Sequence, residues 1–277
     1  MVQRTDAESP RTQLAPAGRG GRPRLEDRVA IVTGGGRGIG KAIALAYARE
    51  GADVAVVART QAEIDRVAAE VEGLGRKGLA VRADVRAPDD VAHVVETVLD
   101  AFGKVDILLN AAGVRAVVPS EDLPPEDWQQ VIDVNLTGSF LCSQGVFAPM
   151  REAGYGKIIM MGSMQAHSGA PFRAAYIASK TGLVGLARGL GVEWARYGIN
   201  VNVLSPGYFA TDVVLHQIEI GQLDLEAIRR RTPMGRIGKM EDLTGPAVFL
   251  ASGESDFMCA QTLVIDGGWL AYGFLQA

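Results

Sequence analysis

Val29-Ala30-Ile31-Val32-Thr33-Gly34-Gly35-Gly36-Arg37-Gly38-Ile39-Gly40-Lys41-Ala42-Ile43-Ala44-Leu45-Ala46-Tyr47-Ala48 is the stretch that decides the fold. Its first four residues form a short apolar run with no polar alternation, as expected of a strand buried on both faces. The last eight read as a helix. Between them lies a glycine turn. A glycine motif alone is weak, and a strand-to-helix turn without a ligand is the bland alternative. The strand, turn and helix together make it a candidate dinucleotide-binding loop. The glycines let backbone approach a pyrophosphate, and the helix N-terminus offers it unpaired N–H groups and partial positive charge.

Strands and helices alternate onward from this stretch. Further strands are expected at Val54–Val57, Leu79–Val81 (closing at Asp84–Val85), Ile107–Leu109, Lys157–Met161, Ile199–Leu204 and Thr262–Ile265. Helices are expected at Gln61–Leu74, Pro88–Phe102, Glu126–Glu152, Ala174–Tyr197 and Asp242–Ser252, and residues 211–231 should be partly helical. Apolar strands separated by helices predict an α/β fold: a single-domain, doubly wound, seven-stranded parallel sheet with helices on both faces. Residues 25–277 show no linker and form one domain. Residues 1–24, rich in Arg, Pro and Gly, read as a disordered tail.

The chain has 277 residues, a net charge of −4 and 48% hydrophobic residues, with a pI of about 5.5. This balance does not point to nucleic acid. Cys142 and Cys259 are the only cysteines. Their spacing is not that of a metal site, and a reduced, cytoplasmic setting is the natural reading. His93, His167 and His216 are scattered, so no metal is expected. No apolar stretch approaches the length of a membrane helix, and no membrane partner is expected.

The chemistry-bearing residues are Tyr176 and Lys180, in the run Tyr-Ile-Ala-Ser-Lys, with Ser163 upstream. Free tyrosine, with a pKa of about 10, is a poor acid–base catalyst at neutral pH. A lysine four residues on shares its helix face and would favour the phenolate. A serine hydroxyl beside the phenol could hold a substrate oxygen. Tyr176 as a buried helix tyrosine, Lys180 as a solvated residue and Ser163 as a cap are the separate structural readings. Together with the glycine loop they would need several coincidences.

On these motifs the chain resembles the classical short-chain dehydrogenase/reductases. The match covers nearly all of residues 25–270: Thr33-Gly34 through Gly40, Asp84-Val85, Asn110-Ala111-Ala112-Gly113, Asn135, Ser163, Tyr176 with Lys180, and Pro206-Gly207 with Thr211. The resemblance implies a Rossmann fold and interconversion of a secondary alcohol and a ketone. Tyr176 would be general acid in reduction and base in oxidation. Lys180 would lower its pKa and hold the nicotinamide ribose, and Ser163 would bind the substrate oxygen. Asn135 would hold the helix geometry and a water that link Lys180 to solvent. The cofactor would lie along Gly34, Gly36, Arg37, Gly38, Ile39, Gly40, Arg59, Thr60, Asp84, Val85, Asn110, Ala111, Gly113, Tyr176, Lys180, Pro206, Gly207, Phe209 and Thr211.

At the end of the second strand, NAD-preferring relatives often carry an aspartate, where this chain has Ala58. Arg59 follows, and Arg37 lies in the glycine loop. Two guanidinium groups favour a 2′-phosphate, hence NADP(H), with NAD(H) as the alternative if Arg59 is merely solvated. Asp84 would bond the adenine edge.

Ser163-Met164-Gln165, Pro206 to Thr211 and Arg231-Thr232-Pro233 resemble the gluconate 5-dehydrogenase branch. Gln165, Arg173 and Tyr208 are the candidate substrate residues, for a small alcohol or ketone such as gluconate/5-ketogluconate. The rivals within the family are a 3-oxoacyl-thioester reductase and a reductase of cyclic or xenobiotic ketones, the latter with an apolar pocket near Phe172, Phe209 and Leu215. A non-catalytic dinucleotide sensor is the reading from outside enzymology. Residues 207–231 are expected to form a lid. The resemblance also implies a homotetramer, paired through helices 126–152 and 174–197 and through the last strand.

Overall fold

The structure, a computed structural model, describes residues 23–273. Seven strands form one sheet: β1 (Val29–Thr33), β2 (Asp53–Ala58), β3 (Gly78–Arg82), β4 (Ile107–Asn110), β5 (Gly156–Met161), β6 (Ile199–Pro206) and β7 (Thr262–Ile265). Their order is β3-β2-β1-β4-β5-β6-β7, with every pair parallel. The chain therefore winds one way from β1 to β3, then crosses back and winds the other way from β4. The crossover falls between β1 and β4, where an open α/β sheet leaves a crevice at its carboxyl edge.

Helices cover both faces. Alternate strand residues supply the two cores, since successive side chains of a strand point to opposite faces. Val29, Ile31, Leu108 and Ile158 pack against α3 (Pro88–Phe102), α5 (Gly138–Ala153) and α6 (Ala174–Trp194). Ala30, Val32, Leu109 and Ile159 pack against α1 (Gly38–Arg49), α2 (Gln61–Glu72) and α9 (Met240–Ala251). Each core strand is buried on both faces, which is why its sequence lacks polar alternation. The expected doubly wound parallel sheet is the fold found.

Several boundaries differ. The helix expected over Glu126–Glu152 is α4 (Pro125–Ile132), a π turn (Asp133–Thr137) and then α5. Asn135 lies in that π turn, and the Ser139 hydroxyl donates to its carbonyl at 2.7 Å. Strand β3 stops at Arg82, because the Asp84 N–H turns to the Asp90 carboxylate at 2.8 Å and opens α3. Residues 211–231 hold α7 (Asp212–Glu219) and α8 (Leu225–Arg231). The tail expected over residues 1–24 lies mostly outside the described residues. Arg24 is ordered at the fold's edge by an ion pair to Glu50 at 2.6 Å.

Candidate active site

A cleft of about 510 Å³ opens at the carboxyl edge of the sheet, over the β1/β4 crossover. Thr33 holds its two walls together. Its hydroxyl accepts from the Ala111 and Ala112 N–H groups at 3.1 and 3.2 Å and lies 3.3 Å from the Leu109 carbonyl. This knot ties the end of β1 to the end of β4.

The glycine loop is shaped by contacts that leave no room for a side chain. A Cβ on Gly34, whose φ is +64°, would lie 2.7 Å from the Ala111 carbonyl oxygen, and one on Gly40 would collide with the Gly34 carbonyl. Gly38, at φ +56°, faces open space. Helix α1 starts there with no side chain capping its first turn, so its leading N–H groups are free for an anion in the cleft. Arg37, Arg59 and Thr60 stand at the same end of the cleft. Gly34, Gly36, Ile39, Ala111 and Gly113 complete this wall. A close-packed glycine loop, an uncapped helix N-terminus and two cations fit a dinucleotide with an added phosphate.

Asp84 and Val85 also line the cleft. The Asp84 carboxylate is taken by Arg86, whose Nη2 approaches to 2.6 Å. That hydrogen bond holds its carboxyl below the usual range. Asp84 thus stands where it was expected, in the cleft wall, with Arg86 as its partner there.

At the other end stand Tyr176 and Lys180, one turn apart on α6. Ser163 follows β5 and opens a short 3-10 turn, accepting from the Gln165 N–H at 3.1 Å. Burial pushes the Tyr176 phenol above its ordinary value. The hydrogen bond to Ser163 and the charges of Arg115 and Arg173 oppose that rise. Lys180 is 4% exposed; its Nζ donates to the Met161 carbonyl at 2.7 Å and lies 5.6 Å from the Tyr176 ring centroid. Burial pulls its ammonium down to about 8. Ser163, Arg115 and Arg173 oppose the rise, while the ammonium turns to a backbone carbonyl.

Asn135 is fully buried. Its side chain bonds both backbone groups of Val114 and donates to Ser179 Oγ at 2.9 Å; that hydroxyl in turn donates to the Tyr176 carbonyl at 2.8 Å. Asn135 therefore fixes the loop after β4 against the first turns of α6.

Other expected site residues fall elsewhere. Pro206 and Thr211 line the cleft, and Thr211 caps α7 by accepting from the Val214 N–H at 3.2 Å. Asn110 is buried beneath its loop, donating to Ser143 at 3.1 Å. Gly207 lies against Asp266. Phe209 is a core residue, 3% exposed and packed on Gly238, because a backbone bridge between Phe209 and Gly238 turns its ring inward. Of the apolar residues expected to line a pocket, Phe172 and Leu215 are exposed and Phe209 is buried. Tyr208 stands edge-on to Trp269 at 5.3 Å and close enough to the cleft-lining Arg115 to act on its charge. Gln165 is buried beside Ser163 with its Oε1 unpartnered.

Arg115 and Glu63 are among the lining residues that escaped the sequence reading. Arg115 stands at the cleft rim near Tyr176, and Glu63 lies beside the glycine loop. Arg115 follows the Asn110–Gly113 motif by two residues and Glu63 follows Thr60 by three, so only proximity to a motif could have flagged them. The Val118 N–H donates to the Phe172 carbonyl at 3.0 Å, tying the segment after Arg115 to the one bearing Arg173. The two guanidinium groups are close enough to perturb each other: partial burial first, then the charge of Arg173, holds Arg115 below its ordinary value.

A family model described as short chain dehydrogenase matches residues 28–219. A 3-oxoacyl-[acyl-carrier-protein] reductase of Synechocystis is 38% identical over 250 residues, covering 90% of this chain and 99% of its own. A 2-dehydro-3-deoxy-D-gluconate 5-dehydrogenase of Escherichia coli is 37% identical over 248 residues, covering 89% and 97%. Among solved structures, a gluconate 5-dehydrogenase from Burkholderia cenocepacia in complex with NADP and tartrate superposes with a TM-score of 0.86. It is 36% identical, with 91% of this chain and 98% of that chain covered. With the fold, the glycine loop and the Tyr176–Lys180 pair in place, this chain belongs to the short chain dehydrogenase family, oxidoreductases acting on alcohol and carbonyl groups.

Proposed function

We propose that the protein is an NADP(H)-dependent oxidoreductase that interconverts the secondary alcohol and ketone of a sugar acid or polyol, of the gluconate/5-ketogluconate kind. The observation that carries this reading is the cleft that brings Tyr176 and Lys180 to the glycine loop, with Ser163, Arg115 and Arg173 close enough to act on the phenol. A nicotinamide bound in the cleft supplies or accepts the hydride. In reduction Tyr176 gives its phenolic proton to the carbonyl oxygen, which Ser163 holds by a hydrogen bond. In oxidation the phenolate takes the alcohol proton back. Lys180, whose Nζ lies near Gly113 in the cleft wall, holds ribose hydroxyls. Arg37, Arg59 and Thr60 receive the 2′-phosphate. Arg115 and Arg173 receive the substrate carboxylate as charge-assisted bonds. The sugar-acid dehydrogenases among the relatives, and tartrate in one of them, support an anionic hydroxy acid.

A 3-oxoacyl-thioester reductase is the second reading, favoured by the equally similar relative from Synechocystis. The proposal extends to a homotetrameric, cytoplasmic enzyme; exposed Phe257 and Val192 are compatible with subunit contacts, and sedimentation showing only monomer would refute the tetramer. The deciding experiment follows NADPH consumption with 5-ketogluconate, an acetoacetyl thioester and a cyclic diketone. Turnover on the keto-acid alone, abolished in Tyr176→Phe, supports the sugar-acid reading. Turnover on the thioester or the diketone alone keeps the mechanism and overturns the substrate.

A further inference from the structure

Ala58 removes the carboxylate that would repel a 2′-phosphate from the end of β2, yet the same end of the cleft holds a carboxylate from another element. Glu63 lies in the first turn of α2, three residues beyond Thr60, the residue preceding that helix. It lines the cleft together with Gly36, Arg37, Arg59 and Thr60. A Cβ built on Gly36 would lie 3.0 Å from Glu63 Cβ and 3.2 Å from its Oε2, so the carboxylate sits directly over the glycine loop. Other charges nearby are neutralised: Lys41 pairs with Glu70 at 2.8 Å, and Asp84 pairs with Arg86 at 2.6 Å. Glu63 makes no ion pair or side-chain hydrogen bond among the described residues, and the helix N-terminus behind it favours its negative charge.

We infer that Glu63 is a specificity-determining residue for the cofactor: it opposes the 2′-phosphate that Arg37 and Arg59 attract, so that the protein discriminates only modestly between NADP(H) and NAD(H). The inference rests on reading the cleft as a nicotinamide dinucleotide site. A phosphate monoester brings nearly two negative charges, whereas the unphosphorylated ribose brings hydroxyls that a carboxylate can accept from. One anion thus acts in opposite senses on the two cofactors. Two cations against one anion still leave the phosphorylated form ahead. For charges about 5 Å apart in a water-exposed site, Coulomb repulsion of a doubly charged group corresponds to a binding difference of about tenfold.

The test measures dissociation constants of NADPH and NADH by fluorescence on the full-length protein, its Glu63→Gln variant and its Arg59→Ala variant, at low and high salt. Glutamine keeps the volume packed over Gly36 and removes only the charge. Glu63→Gln is expected to tighten NADPH about tenfold at low ionic strength, to weaken NADH by about twofold, and to lose much of the gain in high salt. Arg59→Ala is expected to weaken NADPH selectively. If neither nucleotide binds the unaltered protein, the cofactor reading fails and this proposal falls with it. If both bind and Glu63→Gln moves them equally or not at all, Glu63 merely props the glycine loop, and this proposal alone is overturned.

Discussion

Asn135 and Val114 exchange two hydrogen bonds: the Val114 N–H donates to Asn135 Oδ1 at 2.8 Å, and Asn135 Nδ2 donates to the Val114 carbonyl at 2.9 Å. One side chain thus serves the loop as a strand partner would. Because Nδ2 also reaches Ser179, between Tyr176 and Lys180 in sequence, the clasp couples the wall bearing Gly113 and Arg115 to the turn of α6 that bears Tyr176 and Lys180. The π turn is the local backbone form in which Asn135 makes this clasp.

Truncating that side chain strands two buried backbone groups, each costing about 1–3 kcal/mol. Asn135→Ala should therefore lower the thermal midpoint by several degrees and reduce kcat more than it raises KM. Unfolding curves and steady-state kinetics on the same preparation check this; an unchanged midpoint would show that the clasp carries no strain-bearing role.

Tyr176→Phe keeps the ring and removes the proton. Activity should fall by about a thousandfold or more in either direction, while NADPH affinity stays near that of the unaltered protein. Ser163→Ala should lose less, since it removes one hydrogen bond to the substrate oxygen and one to the phenol. Single-turnover hydride transfer with independently measured cofactor binding separates the two effects.

Lys180 gives a pH signature. Its folded pKa, about 8, lies below the unfolded value, so the unfolded chain binds more protons between about pH 8 and 10 and stability rises with pH across that window. The raised Tyr176 phenol acts oppositely, but only above its ordinary value of about 10. Lys180→Met should be inactive yet more stable at pH 7, by on the order of 1–3 kcal/mol, and its advantage should shrink as pH rises from 8 to 10. Urea unfolding at three pH values reads this directly; a pH-independent difference would mean that the buried ammonium is not the source.

Arg115→Gln should raise KM for a sugar acid about tenfold or more, through loss of a charge-assisted contact, and leave a neutral polyol nearly unaffected. Because the Arg115 charge favours the phenolate, its removal should also move the ascending limb of the pH profile for alcohol oxidation to higher pH. Equal loss on acid and polyol would argue that Arg115 only supports the loop.

Gly40→Ala places a methyl group against the Gly34 carbonyl. Backbone cannot yield there without opening the glycine loop, so the variant should lose nucleotide binding and about 1–3 kcal/mol of stability. Gly38→Ala meets open space but sits at positive φ, so its cost should be smaller and mainly conformational.

Most of the sheet was legible because central parallel strands are apolar runs bounded by turns, a local signal that needs no knowledge of partners. Tyr176, Ser163, Lys180 and the glycine loop were legible as motifs, and the cleft brings the loop, Tyr176 and Lys180 together. What escaped depends on contacts between distant segments. The π turn arises where Asn135 meets Val114, 21 residues away. Phe209 turns inward because its backbone pairs with Gly238, which no periodicity around Phe209 announces. Asp84 stayed unread as an ion-paired residue because Arg86 wraps back on it two positions later. Arg115 and Glu63 lie just past recognised motifs, where a lone charge in sequence looks like any solvated one.

The reversal of strand order between β1 and β4 also divides the cleft by chain segment. The residues facing the phosphate end, from Gly34 to Glu63, all precede the reversal, whereas Arg115, Ser163, Arg173 and Tyr176 all follow it. Between the two lies the seam that Thr33 closes onto Ala111 and Ala112. On the proposed reading, coenzyme choice and substrate choice are therefore separable: a graft confined to the first segment should retune one, and a graft confined to the second the other, provided the seam is kept.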